Sequence, residues 1–303
     1  MVVGPSGSPE SRAAGPTFST RGAVVRIAFQ GEPGAYSEAA ALRFSDHADL
    51  LPCESFEAVF AAVTGGKATH GILPVENSIG GSIHRNYDLL LEHELPIVGE
   101  MQLPIAHYLM ALPGTSLDQV KRIYSHPQAL AQCERFLRSL DGVHVEATYD
   151  TAGSAKIVKE QGLKDTAAIA SERAAQVFGL DVLKAEIQDF SDNITRFLVV
   201  SRLAEHDEAA DKTTVVFSLP NEPGSLFKAL SVFALRDIDL TKIESRPIRG
   251  RPWEYLFYVD LPVGRHDLKC ARALVHLAEF ARSMRTLGSY PSWKSRDAAT
   301  TGA

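Results

Sequence analysis

Five stretches of this 303-residue chain gather small and polar side chains in the way a ligand site requires: 31–37, 76–82, 125–128, 150–154 and Ser171. Each falls where a strand pattern gives way to a helix pattern. Small residues at such turns let a ligand approach the backbone, and the helix dipole with its unpaired N–H groups favours an anion. Several of these turns converging on one cleft suit a small molecule with more than one carboxylate. Among them, His126 reads either as a functional imidazole or as a hydrogen-bonded structural one. Glu76 reads either as a general base or as a capping carboxylate. A sixth stretch, Ser191-Asp192-Asn193-Ile194-Thr195-Arg196-Phe197, lies where the chain returns to begin the last strand of its first unit, and it is the most specific of all.

Other chemistries lack their usual residues. His84 and His93 are the closest histidine pair of the first unit, nine positions apart, and no His/Asp/Glu spacing matches a zinc or iron site. The sequence carries no G-x-S-x-G, no P-loop and no G-x-G-x-x-G. No metal and no cofactor is expected. With 31 Lys+Arg against 37 Asp+Glu, a net charge of −6 lacks the basic footprint of a nucleic-acid binder. No apolar run approaches the ~18 residues of a membrane helix. The most apolar stretch, 104–112, carries His107 and reads as a core strand. Cys53, Cys133 and Cys270 are far apart and read as reduced thiols packed as small hydrophobes. Residues 1–23, rich in Gly, Pro, Ser and Ala with Arg12 and Arg21, read as a disordered tail without a secretory apolar segment. The expected location is the cytoplasm, or the plastid stroma for a plant or algal chain.

The elements that must position these residues alternate. A strand at 25–29 precedes a helix capped by Ser37, and Ser55 caps a second helix with Phe56, Val59, Phe60 and Val63 on one face, ended by Gly65-Gly66. Strands follow at 71–75, 122–124, 143–147, 167–170 and 195–200. Pro127 opens a helix with the stripe Leu130, Cys133, Phe136, Leu137 and Leu140, and further helices start after Thr151 and Ser171. This alternation predicts an α/β unit with mostly parallel sheets. The acidic stretch 204–211 reads as a linker. Beyond it come a strand (213–219), a helix (225–235), two strands (238–243, 255–261), a helix (267–282) and a strand (285–290). That order is the β-α-β-β-α-β split motif of ferredoxin-like units.

The motifs, taken in order, resemble a known family. Asn193-Ile194-Thr195-Arg196-Phe197 resembles the N-x-T-R-F signature of prephenate dehydratases and their arogenate dehydratase relatives. The turn 31–37 is similar to that family's first glycine turn, and Glu76-Asn77-Ser78 to its E-N-S motif. Ser125-His126-Pro127-Gln128 and Asp150-Thr151-Ala152 are similar to its next two. Glu222-Pro223-Gly224-Ser225-Leu226 and Glu244-Ser245-Arg246-Pro247 resemble the regulatory motifs of its ACT domain, with Gly224-Ser225-Leu226-Phe227 where Gly-Ala-Leu-Val is usual. The resemblance covers about residues 25–293.

The resemblance implies a two-lobed, periplasmic-binding-protein-like catalytic domain at 24–203. Lobe one takes about 24–103 plus 191–203, and lobe two about 104–190. A linker at 204–212, a ferredoxin-like ACT domain at 213–293 and a tail at 294–303 complete the chain. The implied reaction converts prephenate to phenylpyruvate with loss of carbon dioxide and hydroxide, without a cofactor. The family assigns Thr195 to the departing hydroxide, and a threonine hydroxyl is weak enough as an acid to act as a hydrogen-bond donor. Arg196 is expected to clamp the retained pyruvyl carboxylate, and Phe197 to border an apolar niche for the carboxylate that leaves. Substrate contacts are expected from Glu76, Asn77, Ser78, Ser82, His126, Gln128, Thr151, Ala152, Ser171 and Asn193.

The resemblance further implies that phenylalanine binds Gly224, Ser225, Leu226, Phe227, Glu244, Ser245, Arg246 and Pro247 at a subunit interface and inhibits the enzyme as a homodimer or homotetramer. Arogenate, with an amino group in place of the keto oxygen, is the alternative substrate. A non-catalytic small-anion-binding protein is the alternative from another class.

Overall fold

The computed structural model describes residues 25–203 and 208–295. The expected tail 1–23, part of the expected linker and all but the first two residues of the expected tail 294–303 lie outside them. The chain runs β1 (Arg26–Gln30), α1 (Tyr36–Phe44), β2 (Asp49–Cys53), α2 (Phe56–Thr64), β3 (His70–Asn77), β4 (Gly81–Ser82), α3 (His84–His93) and β5 (Ile97–Pro104). It then builds β6 (Tyr108–Ala111), β7 (Arg122–Ser125), α4 (Pro127–Gln132), α5 (Glu134–Arg138), β8 (His144–Ala147), α6 (Thr151–Glu160), β9 (Thr166–Ala170), α7 (Glu172–Phe178) and β10 (Asp181–Lys184). It returns as β11 (Ile194–Ser201) and finishes with β12 (Lys212–Ser218), α8 (Ser225–Ala234), β13 (Lys242–Pro247), β14 (Tyr255–Leu261), α9 (Leu268–Phe280) and β15 (Ser283–Tyr290).

Two sheets result. The smaller has the order β10-β6-β9-β7-β8 and forms the second lobe. The larger has the order β13-β14-β12-β15-β5-β11-β3-β1-β2, with β4 beside β3, so the C-terminal unit and the first lobe share one sheet. The expected strand over 104–112 is broken. β5 ends at Pro104 in the first sheet and β6 begins at Tyr108 in the second, leaving residues 105–107 to cross between lobes. The return crossing lies beside it, with the Ile105 N–H donating to the Asn193 carbonyl at 2.8 Å.

The sheets are mixed rather than mostly parallel. β1 is parallel to β2 and β3, but β11 is antiparallel to both β3 and β5 because it returns from the other lobe. Ser37 is not a cap: α1 begins one residue earlier, Ala35 precedes it, and Ser37 is buried. The helix at Pro127 breaks at Cys133, although Leu130, Cys133, Phe136, Leu137 and Leu140 still share one apolar cluster. The strand expected at 238–243 starts at Lys242 instead, since Asp237 turns the chain at φ 56° and Ile238 drops into the core under α8 and α9. Ser55 caps α2 as expected, accepting from the Ala58 N–H.

The C-terminal sheet is covered on both faces. Val215, Phe217, Val259 and Leu261 pack against Ala229, Val232 and Phe233 of α8 and Cys270, Ala273 and Leu277 of α9. Val216, Tyr258, Leu287 and Tyr290 belong to the same cluster as Tyr87, Leu89 and Leu90 of α3 and Ile97 of β5. The two units therefore share a core as well as a sheet. At their seam Gly288 pairs with Ile97, and a β-carbon on Gly288 would sit 2.2 Å from the Ile97 carbonyl oxygen. Backbone cannot yield as a flexible side chain can. Gly288→Ala is expected to lower stability by about 1–3 kcal/mol, the usual cost of overpacking, in urea unfolding of the full chain. A midpoint equal to wild type would show that the seam opens freely.

Candidate active site

β11 and β3 lie antiparallel with Thr195 opposite Asn77 and Arg196 opposite Glu76. Side chains alternate faces along a strand, so Thr195 and Asn77 share one face while Arg196 and Glu76 share the other. The register shifts after Arg196 because Phe197 lies opposite Pro74, which has no N–H to give the ladder. Thr195 is 8% exposed, and its Oγ1 accepts from Asn77 Nδ2 at 3.0 Å.

The direction of that bond is fixed by chemistry. Asn77 Oδ1 faces the backbone N–H groups of Ile79 at 3.1 Å and Gly80 at 2.7 Å, and those groups can only donate. The amide nitrogen must therefore face Asn193 Oδ1 at 2.6 Å and Thr195. Thr195 thus receives a hydrogen bond and keeps its own proton, with no acceptor for it among the described residues. The same logic runs outward. Asn193 Nδ2 donates to Gln132 Oε1 at 3.0 Å, which also receives His107 Nε2–H at 2.8 Å. His107 Nδ1 lies 2.9 Å from the Tyr36 hydroxyl, whose single proton is shared between that nitrogen and the Ala106 carbonyl at 2.7 Å. Burial holds the His107 imidazole below its usual range despite the opposing Gln132 bond, favouring the neutral ring, and the Nε2–H needed by Gln132 Oε1 leaves Nδ1 as the acceptor.

Tyr36 and Gln132 escaped the sequence reading, and His107 entered it only as part of an apolar core strand. Their only signals were an aromatic at a helix start, a histidine inside an apolar run and an amide at a helix end. Phe197, two residues beyond Thr195 on the same face, is buried in the apolar cluster with Phe29 and Met101 and with partly buried Tyr36 and Leu103. It forms floor rather than an open niche.

Other expected site residues go elsewhere. Arg196 faces away from Thr195: Nε donates to Glu100 at 2.8 Å, Nη1 to Asp260 of β14 at 2.6 Å and Nη2 to the Tyr290 hydroxyl at 3.2 Å. Lys212 Nζ joins at 2.9 Å from Glu100. Burial raises the Asp260 carboxyl, but Arg196 and Lys212 outweigh it and hold it below the usual carboxylate range. The guanidinium thus directs its donors to Glu100, Asp260 and Tyr290, on the face opposite Thr195, and not into the cleft where a clamp was expected. Glu76 shares that face, with Oε1 at 3.1 Å from Lys242 Nζ of β13. Ser82 donates to Glu244 at 2.7 Å, again toward the C-terminal unit. Neither Glu76 nor Ser82 borders Thr195.

Ser78 rivets the return loop, its hydroxyl donating to the Asp192 carbonyl at 2.8 Å and accepting the Ile194 N–H at 2.9 Å. Ser171 caps α7 and donates to the Gly34 carbonyl at 2.6 Å. Asp150 fills the start of α6, accepting from Ala152 N–H at 2.7 Å and Gly153 N–H at 3.3 Å, beside Gly31. The N-terminus at Thr151 and Ala152 thus meets its own carboxylate rather than open cleft. These turns hold the lobes together, aided by Arg173 on Glu38 at 2.8 Å. His126 accepts the Gln128 N–H at 3.2 Å through Nδ1, a capping role. Gln128 reaches across to the first lobe, its Nε2 lying 2.3 Å from where a Gly80 β-carbon would stand. Asn77, Asn193, Thr195 and, through Gly80, Gln128 are the expected residues brought together.

The expected effector residues divide. On β13, Lys242, Glu244 and Arg246 face the first lobe: Glu244 meets His84 at 2.9 Å and Arg246 meets Asp88 at 3.0 Å. Ser245 and Pro247 face out with Ile243. Gly224 opens α8 at φ 83°, a conformation glycine adopts freely, with Ser225 following it. Leu226 and Phe227 stand on the exposed side of that helix, Phe227 at 76%. Among the described residues no group of three or more His, Cys, Asp or Glu is arranged to hold a metal ion, and no helix is long and apolar enough to cross a membrane.

Two family models match the chain: "Prephenate dehydratase" over residues 27–205 and "ACT domain" over residues 213–269. The chain is 50% identical over 283 residues to "Arogenate dehydratase/prephenate dehydratase 2, chloroplastic" of Arabidopsis thaliana, covering 90% of this chain and 74% of that protein. Among solved structures, the prephenate dehydratase of Arthrobacter aurescens in complex with L-Phe is 35% identical with TM-score 0.81, covering 89% of this chain and 91% of that one. GqqA, described as a novel type of quorum quenching acylase, is 36% identical with TM-score 0.82, covering 88% and 98%. Sequence, architecture and motif order agree, and the chain belongs to the prephenate dehydratase family, hydro-lyases that here carry a C-terminal ACT domain.

Proposed function

We propose that this chain converts prephenate to phenylpyruvate, with the Thr195 hydroxyl donating to the hydroxyl that leaves the ring. The single observation that carries this reading is that Thr195 Oγ1 accepts from Asn77 and so keeps its own proton. As the ring carboxylate departs, the electrons of its C–C bond enter the ring and expel the hydroxyl from the opposite carbon. The balance is prephenate dianion plus one proton to phenylpyruvate anion, carbon dioxide and water. Negative charge grows on the departing oxygen, so a donor placed there stabilises the transition state more than the ground state. The bond from Asn77 polarises the Thr195 O–H and strengthens it as a donor.

Arg196 has no part in holding substrate here. The pyruvyl carboxylate is assigned to an uncharged donor near Gly80, Gln128 Nε2 across the cleft. The leaving carboxylate lies over the apolar floor that includes Phe197 and Leu103, where loss of charge is favoured. Dehydration of arogenate directly to phenylalanine is the alternative reading, supported by the plant relatives named for it. The reaction is assigned to an aqueous compartment, the cytoplasm or, for a plant or algal chain, the plastid stroma. Phenylalanine is assigned as inhibitor on the ACT domain of a homodimer or homotetramer, near Gly224, Ser225 and the outward side of β13 at Ser245 and Pro247. The Arthrobacter aurescens enzyme solved with L-Phe supports that assignment.

Product analysis with prephenate and arogenate in parallel tests the activity. Thr195→Ala is expected to lower kcat by about 10²–10⁴-fold, while Thr195→Ser keeps most of it. No phenylpyruvate or phenylalanine from the unmodified chain would overturn the reading. For regulation, Ser245→Leu is expected to raise the phenylalanine concentration giving half inhibition about tenfold, or about 1.4 kcal/mol; an unchanged inhibition curve would move the effector site elsewhere. Arg196→Met leaves Glu100 and Asp260 short of a counter-charge and is expected to cost about 3–5 kcal/mol of stability. A raised KM with an unchanged unfolding midpoint would instead return Arg196 to the substrate.

A further inference from the structure

Thr195 is the end of a longer device. Five side chains precede it in one hydrogen-bonded series, Tyr36, His107, Gln132, Asn193 and Asn77, drawn from both lobes and both crossing segments. Three of them are amides, which can rotate end for end with little change of shape but with donor and acceptor exchanged. Only one set of orientations satisfies the whole series. The N–H groups of Ile79 and Gly80 fix it at one end, and His107 fixes it at the other by offering Nε2–H to Gln132. His107 is itself held: it is 2% exposed, its N–H donates to Gln188 Oε1 at 2.9 Å and its carbonyl accepts the Ile187 N–H at 2.9 Å.

We infer that His107 is a positioning residue for the reaction: by donating to Gln132 it keeps Asn193 and Asn77 in the one orientation that leaves the Thr195 proton free. Without that donor, Gln132 can rotate and turn its NH₂ toward the Asn193 NH₂. Asn193 then loses its acceptor and competes with the turn that holds Asn77. The inference rests on the reading of Thr195 as the donor to the leaving group.

A pair of isosteres tests it. A glutamine amide nitrogen reaches about where His Nε2 stands, whereas an asparagine reaches only the Nδ1 position beside Tyr36. His107→Gln is expected to keep kcat within about threefold. His107→Asn is expected to lower it about threefold to tenfold, the usual consequence of one lost hydrogen bond, with KM unchanged. Gln132→Met, which cuts the same link from a partly exposed helix end, is expected to match His107→Asn and decides the matter if the His107 variants do not fold. Adding His107→Asn to Thr195→Ala is expected to lower kcat no further, because the two act through one hydroxyl. Equal losses in the Gln and Asn variants would reduce His107 to packing and overturn the inference, as would full kcat in Gln132→Met. Thr195→Ala with wild-type kcat would instead overturn the underlying reading of Thr195.

Discussion

The structure turns on the two-residue alternation of a single strand. β11 is antiparallel to a neighbour on each side, so its side chains have only two directions to take. Thr195 takes one and meets Asn77 in the cleft; Arg196 takes the other and meets Glu100, Asp260 and Tyr290 beneath the ACT sheet. Two adjacent letters of one motif therefore serve different ends. One turns a hydroxyl toward the cleft, and the other ties the strand carrying that hydroxyl to the second unit. Arg196 pairs with Glu100 and Asp260 while Lys212 completes the cluster, so no charge there is buried alone.

The same alternation divides β13. Lys242, Glu244 and Arg246 turn to the first lobe and hold β4 and α3, while Ile243, Ser245 and Pro247 turn outward. The Glu244 bond to Ser82 lies a few residues from the N–H groups that orient Asn77. A strand of the ACT domain thus touches the loop that governs the Thr195 hydroxyl. The contacts run without a gap from β13 to the loop beside the cleft. The shared sheet and shared core make the two units one mechanical body rather than two beads on a linker.

Much of this was legible in the residues, and the failures have physical reasons. Caps such as Ser55, the helix start at Pro127 and the split β-α-β-β-α-β order followed from local rules, and the structure keeps them. The motif at Asn193–Thr195 carried the family and the cleft. What could not be read was direction. A polar glycine turn looks the same whether it faces a ligand or another lobe, and Gly31, Asp150 and Ser171 face a lobe. An arginine beside the key threonine looks like a clamp until the register puts it on the far face. His107 read as part of a core strand because a buried, hydrogen-bonded histidine resembles packing until its partners are known. The strands at β2, β5, β6 and β10 lacked clean alternation, since tertiary pairing rather than local pattern creates them.

The proposed reaction requires that Asn77 donate to Thr195 and leave the Thr195 proton for the departing hydroxyl. Asn77→Asp tests it with almost no change in shape. A carboxylate still accepts the Ile79 and Gly80 N–H groups but cannot donate, so the Thr195 proton turns back toward it. Steady-state turnover of prephenate should then show kcat lowered by about 10²-fold or more, with the unfolding midpoint close to wild type. A kcat near wild type in a folded Asn77→Asp protein would contradict the claim, because Thr195 would then need no donor behind it.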